Sequence, residues 1–454
     1  MMNKSLLLGL SVFLTACSTL LPPLNHPAPK ETIKINQAPL SERGRSDDLA
    51  LILTFSGGGT RAAAFSYGVM QALREIQIGK KGDKSLLEEV DLISSVSGGS
   101  FTAAYYGLYG DKLFSRYEKD FLKRPVQSSL LKFWLLTPTN WIRLAPALYN
   151  RSDLAADYYS NTIFGRKTFA DMRRDGPQIF INATDLGTGS GFSFTRDNFR
   201  WICSDLNKFP VGRAVAASSA VPVLFSPIAM KNYGGSCKPY PHQQKELSDS
   251  SMRVDAQAYG LRKYMDAERY KYLHLVDGGV VGNLGVRPLL HIIFEQKNNF
   301  WQVMKTFNMK KTRKVAFIVV NAADAIPPVI PLRRREPGTA ETLSAVTTIQ
   351  STRYNEDTLD LLESLFPKWK KQIQEGRCRE KSIAHCKDIE FYLAELNFKQ
   401  LPKDQRDELA LLETSLQLPP ESIDKLIESG KQLLRQSPEF KRLLSDMKGQ
   451  TKQR

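Results

Sequence analysis

Residues 51–73 read LILTFSGGGTRAAAFSYGVMQAL, and the join between the two halves of this stretch decides the fold. From Leu49 to Phe55 the chain is apolar without alternation, the pattern of a strand covered on both faces. Beyond the glycines, Phe65, Val69, Ala72, Leu73 and Ile76 recur at i, i+4, i+7, i+8 and i+11, one face of a helix. A glycine turn between strand and helix lets backbone N–H groups point into one space, and the helix N-terminus adds positive potential there. The turn suits negative charge, either a cofactor's phosphate or charge that develops during a reaction.

Working outward, residues 90–95, 178–183, 272–276 and 315–321 supply further strands, and helix-like sequence starts at Phe101. Strands alternating with helices predict an α/β fold with a mostly parallel central sheet and helices on both faces. The main domain is expected over residues 48–328. Residues 112–170 mix basic and aromatic groups, Trp134 and Trp141 among them. They suit a membrane-contacting surface or a helical insertion packed on the core. Residues 329–454 read as a C-terminal helical appendage without chemistry, cut into short helices by prolines at 367, 402, 419, 420 and 438.

At the other end, MMNK precedes an apolar core from Ser5 to Leu14. A bilayer span needs roughly 20 residues; this core has the length of a secretory signal. It closes on Leu14-Thr15-Ala16-Cys17, which resembles the lipobox of bacterial lipoproteins. That resemblance implies a signal peptide over 1–16, cleavage before Cys17 and lipidation of this cysteine. Ser18 favours the outer membrane of a bacterial cell envelope, facing the periplasm, with residues 17–47 as a tether. An ordinary secretion signal with a chance cysteine is the alternative. Four cysteines remain, without a C-x-x-C pair, so a zinc site is not expected. In an oxidising compartment their even number suggests disulfides, most simply Cys203 with Cys237 and Cys378 with Cys386; free buried thiols are the other reading.

With 454 residues, 42% hydrophobic and 24% charged, the chain can bury one large core. Its formal charge of +16 points, for an exported protein, to anionic lipid head groups rather than nucleic acid, or to a solvated basic surface with no partner.

Gly57-Gly58-Gly59-Thr60-Arg61-Ala62 fits the dinucleotide fingerprint G-x-G-x-x-A in its spacing. The acidic residue expected at the end of the next strand is missing, because Asp91 stands near that strand's start. The other guest is an oxyanion, and it requires a nucleophile nearby. Ser95-Val96-Ser97-Gly98-Gly99 follows the second strand and precedes a helix, the setting of a nucleophile elbow, with Ser95 where a glycine is usual. Leu275-Val276-Asp277-Gly278-Gly279 puts a carboxylate at the end of a third strand, on a turn expected at the same edge of a parallel sheet.

Taken in this order, SGGGTR at 56–61, SVSGGS at 95–100 and DGG at 277–279 resemble the motifs of patatin-like phospholipases of the bacterial lipoprotein kind. NATDLGTG at 182–189 and ASSAVPVLFSP at 217–227 add to the resemblance, which spans about residues 49–325. It implies a three-layer α/β/α fold and hydrolysis of phospholipid or other lipid esters. Ser97 would be the nucleophile, Asp277 the base, and Gly57, Gly58 and Gly59 the oxyanion hole. Arg61 would steady the glycine turn or a phosphate. Ser95 and Ala62 depart from the family pattern by small changes in bulk. His274, three residues before Asp277 in a strand, faces the other way and is expected in the core or an interface. A dry site must then raise the carboxylate's pKa toward neutrality. No cofactor or metal is expected. A patatin-fold envelope protein with weak or no catalysis, acting as a binding module, is the alternative reading.

Overall fold

Leu49–Phe55 forms strand β1 near the middle of an eight-stranded sheet. The structure, a computed structural model, describes residues 25–30, 44–78, 83–136, 149–222, 224–240, 243, 256–323, 330, 334–380 and 385–451. The signal segment, Cys17 and Trp141 lie outside these residues, as does the side chain of Trp134. The other strands are β2 (Val90–Val96), β3 (Gln178–Asp185), β4 (Ser190–Ser193) and β5 (Ile228–Lys231). They continue with β6 (Tyr272–Asp277), β7 (Lys314–Asn321) and β8 (Glu390–Asn397). The spatial order is β8-β7-β1-β2-β3-β6-β5, with β4 also paired to β3.

From β8 to β3 the strands are parallel, whereas β4 and β6 run antiparallel to β3. Alternate residues of β7 show why its run is apolar throughout. Ala316, Ile318 and Val320 join one core beneath α1 (Gly59–Glu75). Val315, Phe317 and Val319 join a second core on the opposite face, with Trp301 and Trp369. The result is three layers, α/β/α, with further helices at the C-terminus. After α1 these layers include α2 (Gly98–Tyr109), α3 (Val126–Leu135) and α4 (Val211–Ser218). The C-terminal region contributes α5 (Thr339–Arg379), α6 (Pro420–Gln436) and α7 (Pro438–Thr451). Among the described residues no helix is long and apolar enough to cross a membrane.

The C-terminal region differs from its sequence reading in three respects. Pro367 does not end a helix but lies inside the 41-residue α5. An internal proline costs about 3 kcal/mol, while each buried large side chain contributes about 1.5–3 kcal/mol. Leu362, Trp369 and Ile373 are all buried on the second core and offset that cost. Residues 390–397, in which no strand was expected, pair along their whole length with β7. Finally, α6 crosses α1 with backbones in contact: a Cβ on Gly68 would lie 2.0 Å from the Ile427 carbonyl oxygen, and one on Gly430 would lie 2.5 Å from that of Phe65.

Disulfides join Cys203 to Cys237 and Cys378 to Cys386. Beside the first, residues 25–30 of the expected tether are held rather than free. The Ala28 N–H donates to the Cys203 carbonyl (2.7 Å) and the Asp205 N–H to that of His26 (2.9 Å). The buried Asn25 accepts from the Lys231 N–H (2.7 Å) and donates to Ser204 Oγ (2.9 Å). The reason is backbone pairing: Pro27 and Ser204 form an antiparallel bridge.

Candidate active site

Strand register brings three chain segments to one level. Phe55 is paired with Ser95, Val96 with Asn182, and Ala183 with Asp277. Asp277 thus ends its strand beside Ser97 as expected, but from an antiparallel strand. β3 extends past the end of β2, and β6 pairs with that extension, running back toward the level of Ser97.

Ser97 has φ +49° and ψ −118°, a conformation that costs a residue with a Cβ about 1–3 kcal/mol. Several contacts hold it there. The Ser97 N–H donates to Ser218 Oγ (2.9 Å), and that hydroxyl donates to the Asn182 carbonyl (2.6 Å). The Ser100 hydroxyl meets Ser218 Oγ at 3.0 Å and donates to Ser95 Oγ at 3.1 Å. Ser95, the unusual residue of the elbow, donates to the Phe180 carbonyl (2.9 Å). Its hydroxyl ties the elbow to β3, which explains how a serine is accommodated there. Gly98 is required by close approach: a Cβ on it would lie 2.0 Å from the Gly59 carbonyl oxygen.

Asp277 is fixed through its backbone, whose N–H donates to the Ala220 carbonyl (2.9 Å) and whose carbonyl accepts from Thr184 Oγ1 (2.9 Å). Its carboxylate accepts the Gly279 N–H (2.8 Å) and interacts with the Ser97 hydroxyl. Burial raises the Asp277 pKa to about 6 against the lowering effect of these two donors. Ser97 and Asp277 are 5% and 7% exposed, so burial of the pair is nearly complete.

The glycine turn presses on the elbow from the β1 side. Gly57 differs from expectation, because its N–H is already engaged by the Asn283 carbonyl and side-chain Oδ1, each at 3.1 Å. Gly58 and Gly59 adopt φ +135° and +58°, and among the described residues their N–H groups have no partner. The Thr60 N–H donates to the Ser415 carbonyl (2.8 Å). A Cβ on Gly59 would lie 2.2 Å from that same oxygen. Ser415 therefore fills the space that a dinucleotide's pyrophosphate would need at this helix N-terminus. Arg61 is buried at 1% exposure, and its guanidinium is engaged by the protein itself. It donates to the carbonyls of Ala322 (3.1 Å) and Leu412 (2.6 Å). His274 is exposed rather than in the core, since only the later residues of β6 are covered on both faces. Among the described residues no group of three or more His, Cys, Asp or Glu could hold a metal ion.

Sequence reasoning missed Asn283, Ser218, Asn182 and Ser415. Asn182 and Ser218 lie in quoted motifs, and their polarity inside apolar stretches was a usable signal. Asn283 follows Asp277 by six residues in DGGVVGN, a weaker sign. Nothing local marks Ser415.

A glycine turn, a strained serine and a buried carboxylate thus stand together on one sheet edge of a protein of the α/β class. Residues 53–290 match the family described as patatin-like phospholipase, and the chain belongs to that family. Similar solved structures include human GIVD cytosolic phospholipase A2, at 13% identity and TM-score 0.35, covering 65% of this chain and 47% of that one. The same human protein in complex with methyl gamma-linolenyl fluorophosphonate gives 12% identity and TM-score 0.40, with coverage of 90% and 61%. VipD from Legionella pneumophila gives 11% identity and TM-score 0.30, with coverage of 88% and 67%. The chain spans about half the length of the first of these. No curated protein sequence matches it significantly.

Proposed function

We propose that the chain hydrolyses carboxylic esters of phospholipids or related lipids, with Ser97 as nucleophile and Asp277 as its base. The observation that carries this reading is a buried carboxylate, its pKa raised to about 6, against the hydroxyl of a strained serine. A base of that strength is largely ionised at neutral pH yet basic enough to take a proton in the transition state. Ser97 Oγ attacks the ester carbonyl as its proton passes to Asp277, and the carbonyl oxygen becomes an oxyanion. The N–H groups of Gly58 and Gly59, which have no partner among the described residues, receive that charge. Collapse breaks the ester bond, the departing alkoxide takes the proton from Asp277, and a lysolipid or alcohol leaves. Water, deprotonated by Asp277, then cleaves the acyl-serine and restores the enzyme.

Family membership supports a lipid substrate. The exposed Leu131 and Leu136, beside the exposed Lys132 on α3, support contact with a lipid surface. Lipidation of Cys17 would place the protein on the outer membrane facing the periplasm. The test is labelling of purified, delipidated protein with a fluorophosphonate probe. Labelling of the wild type that is absent in Ser97→Ala and sharply reduced in Asp277→Asn is expected. A well-folded wild type that stays unlabelled, with and without detergent micelles, would overturn the hydrolase reading and favour a binding module.

A further inference from the structure

We propose that residues 412–415, a strap far from the family motifs in sequence, are a working part of this site. They seat the glycine turn so that the Gly58 and Gly59 N–H groups aim at the carbonyl Ser97 attacks. This rests on the hydrolase reading above. A helix leaves its first N–H groups without partners inside the helix, and here four successive amides are sorted in a pattern. The outer two are tied down, Gly57 by Asn283 and Thr60 by the Ser415 carbonyl. Among the described residues the inner two are left open. Pinning both ends of a turn fixes the direction of the groups between, which is the preorganisation that stabilises an oxyanion.

Arg61 makes the seat rigid. Its guanidinium, one residue after the tied amide, reaches the Ala322 carbonyl beyond β7, the Leu412 carbonyl and Thr414 Oγ1 (3.4 Å). A planar fork holding three partners on two chain segments triangulates the strap against the sheet. From the far side, the Leu416 N–H donates to Gln127 Oε1 (3.2 Å), and Ser128 Oγ donates to Gln417 Oε1 (2.6 Å). The strap is therefore held on both sides. Thr414, Ser415 and Arg61 are positioning residues that touch no reacting atom.

The experiment inserts one glycine between Thr414 and Ser415 in the full chain, and separately makes Arg61→Lys and Thr414→Val. The insertion shifts the strap by up to about 3.5 Å. Arg61→Lys keeps the charge but cannot reach three partners, and Thr414→Val removes a single contact at an exposed position. Turnover is measured on p-nitrophenyl butyrate and on its thionoester, whose sulfur fits an oxygen-sized hole poorly. The ratio of the two kcat/KM values does not depend on how much protein is folded. We expect kcat for the oxygen ester to fall about 10²-fold in the insertion variant, with KM changed less than about threefold. The preference for oxygen over sulfur should shrink in the order Thr414→Val, Arg61→Lys, insertion. Lower activity with the wild-type ratio in all three would overturn the proposal and leave the strap a purely structural element. A wild type inert on both esters would instead sink the hydrolase reading.

Discussion

Two buried aspartates stand on neighbouring strands, Asp185 ending β3 and Asp277 ending β6, at 1% and 7% exposure. Their carboxylates are treated in opposite ways. Asp185 accepts the N–H groups of His274, Gly187 and Thr188 and the hydroxyls of Thr188 and Tyr264. Among the described residues Asp277 has the Gly279 N–H and the Ser97 hydroxyl. Five donors replace much of the water a carboxylate loses on burial, and two do not. The first acid joins β3, β6 and the 187–188 turn. The second is left with capacity for a proton.

The largest expected effect tests that division directly. Asp277→Asn should lower ester turnover about 10³–10⁴-fold. Asp185→Asn should leave turnover per folded molecule within about threefold of wild type; equal losses from both would erase the distinction. In stability the order reverses. Asp185→Asn should cost about 2–4 kcal/mol in denaturant titration, because donors buried around it lose acceptors. Asp277→Asn should be more stable than wild type at pH 8 by up to about 3 kcal/mol. The folded state holds this proton more tightly than the unfolded chain. Stability is therefore lost as pH climbs from about 4 to about 6, and the variant's advantage should vanish below about pH 4. In the wild type, kcat/KM should fall about tenfold per pH unit below a bend near 6. A bend near 4 would mean that Asp277 is not the base. The smallest change is Ser95→Gly, which removes the bond to Phe180. It should cost about 1 kcal/mol of stability and change turnover only a few-fold.

Much of the architecture was legible because it rests on local pattern. The continuous apolar runs of β1 and β7 and the glycine–helix junction at 57–75 were read from spacing alone. Ser97 was legible as a residue after a strand and Asp277 as one ending a strand, but the antiparallel course of β6 was not, since Leu275-Val276-Asp277 looks the same in either direction. The engagement of Gly57 by Asn283 escaped because it joins positions 226 apart, and no local rule reports that separation. Pro367 misled for the opposite reason: a local rule was applied where burial of Trp369 and Ile373 prevails. The prolines at 402, 419, 420 and 438 do stand at helix starts, where a missing N–H costs nothing.

Ser415 joins a turn that was made 355 residues before it. A chain grows from one end, so Ser97 and Asp277 both exist long before the strap and α6 that close over α1. Contacts of such sequence separation form late, after the loop-closure entropy between them has been overcome. The maturation of this site is thus timed by residues 412–436: a nascent or prematurely stopped chain that ends before them carries the serine and the carboxylate, but its glycine turn has not yet been closed from above.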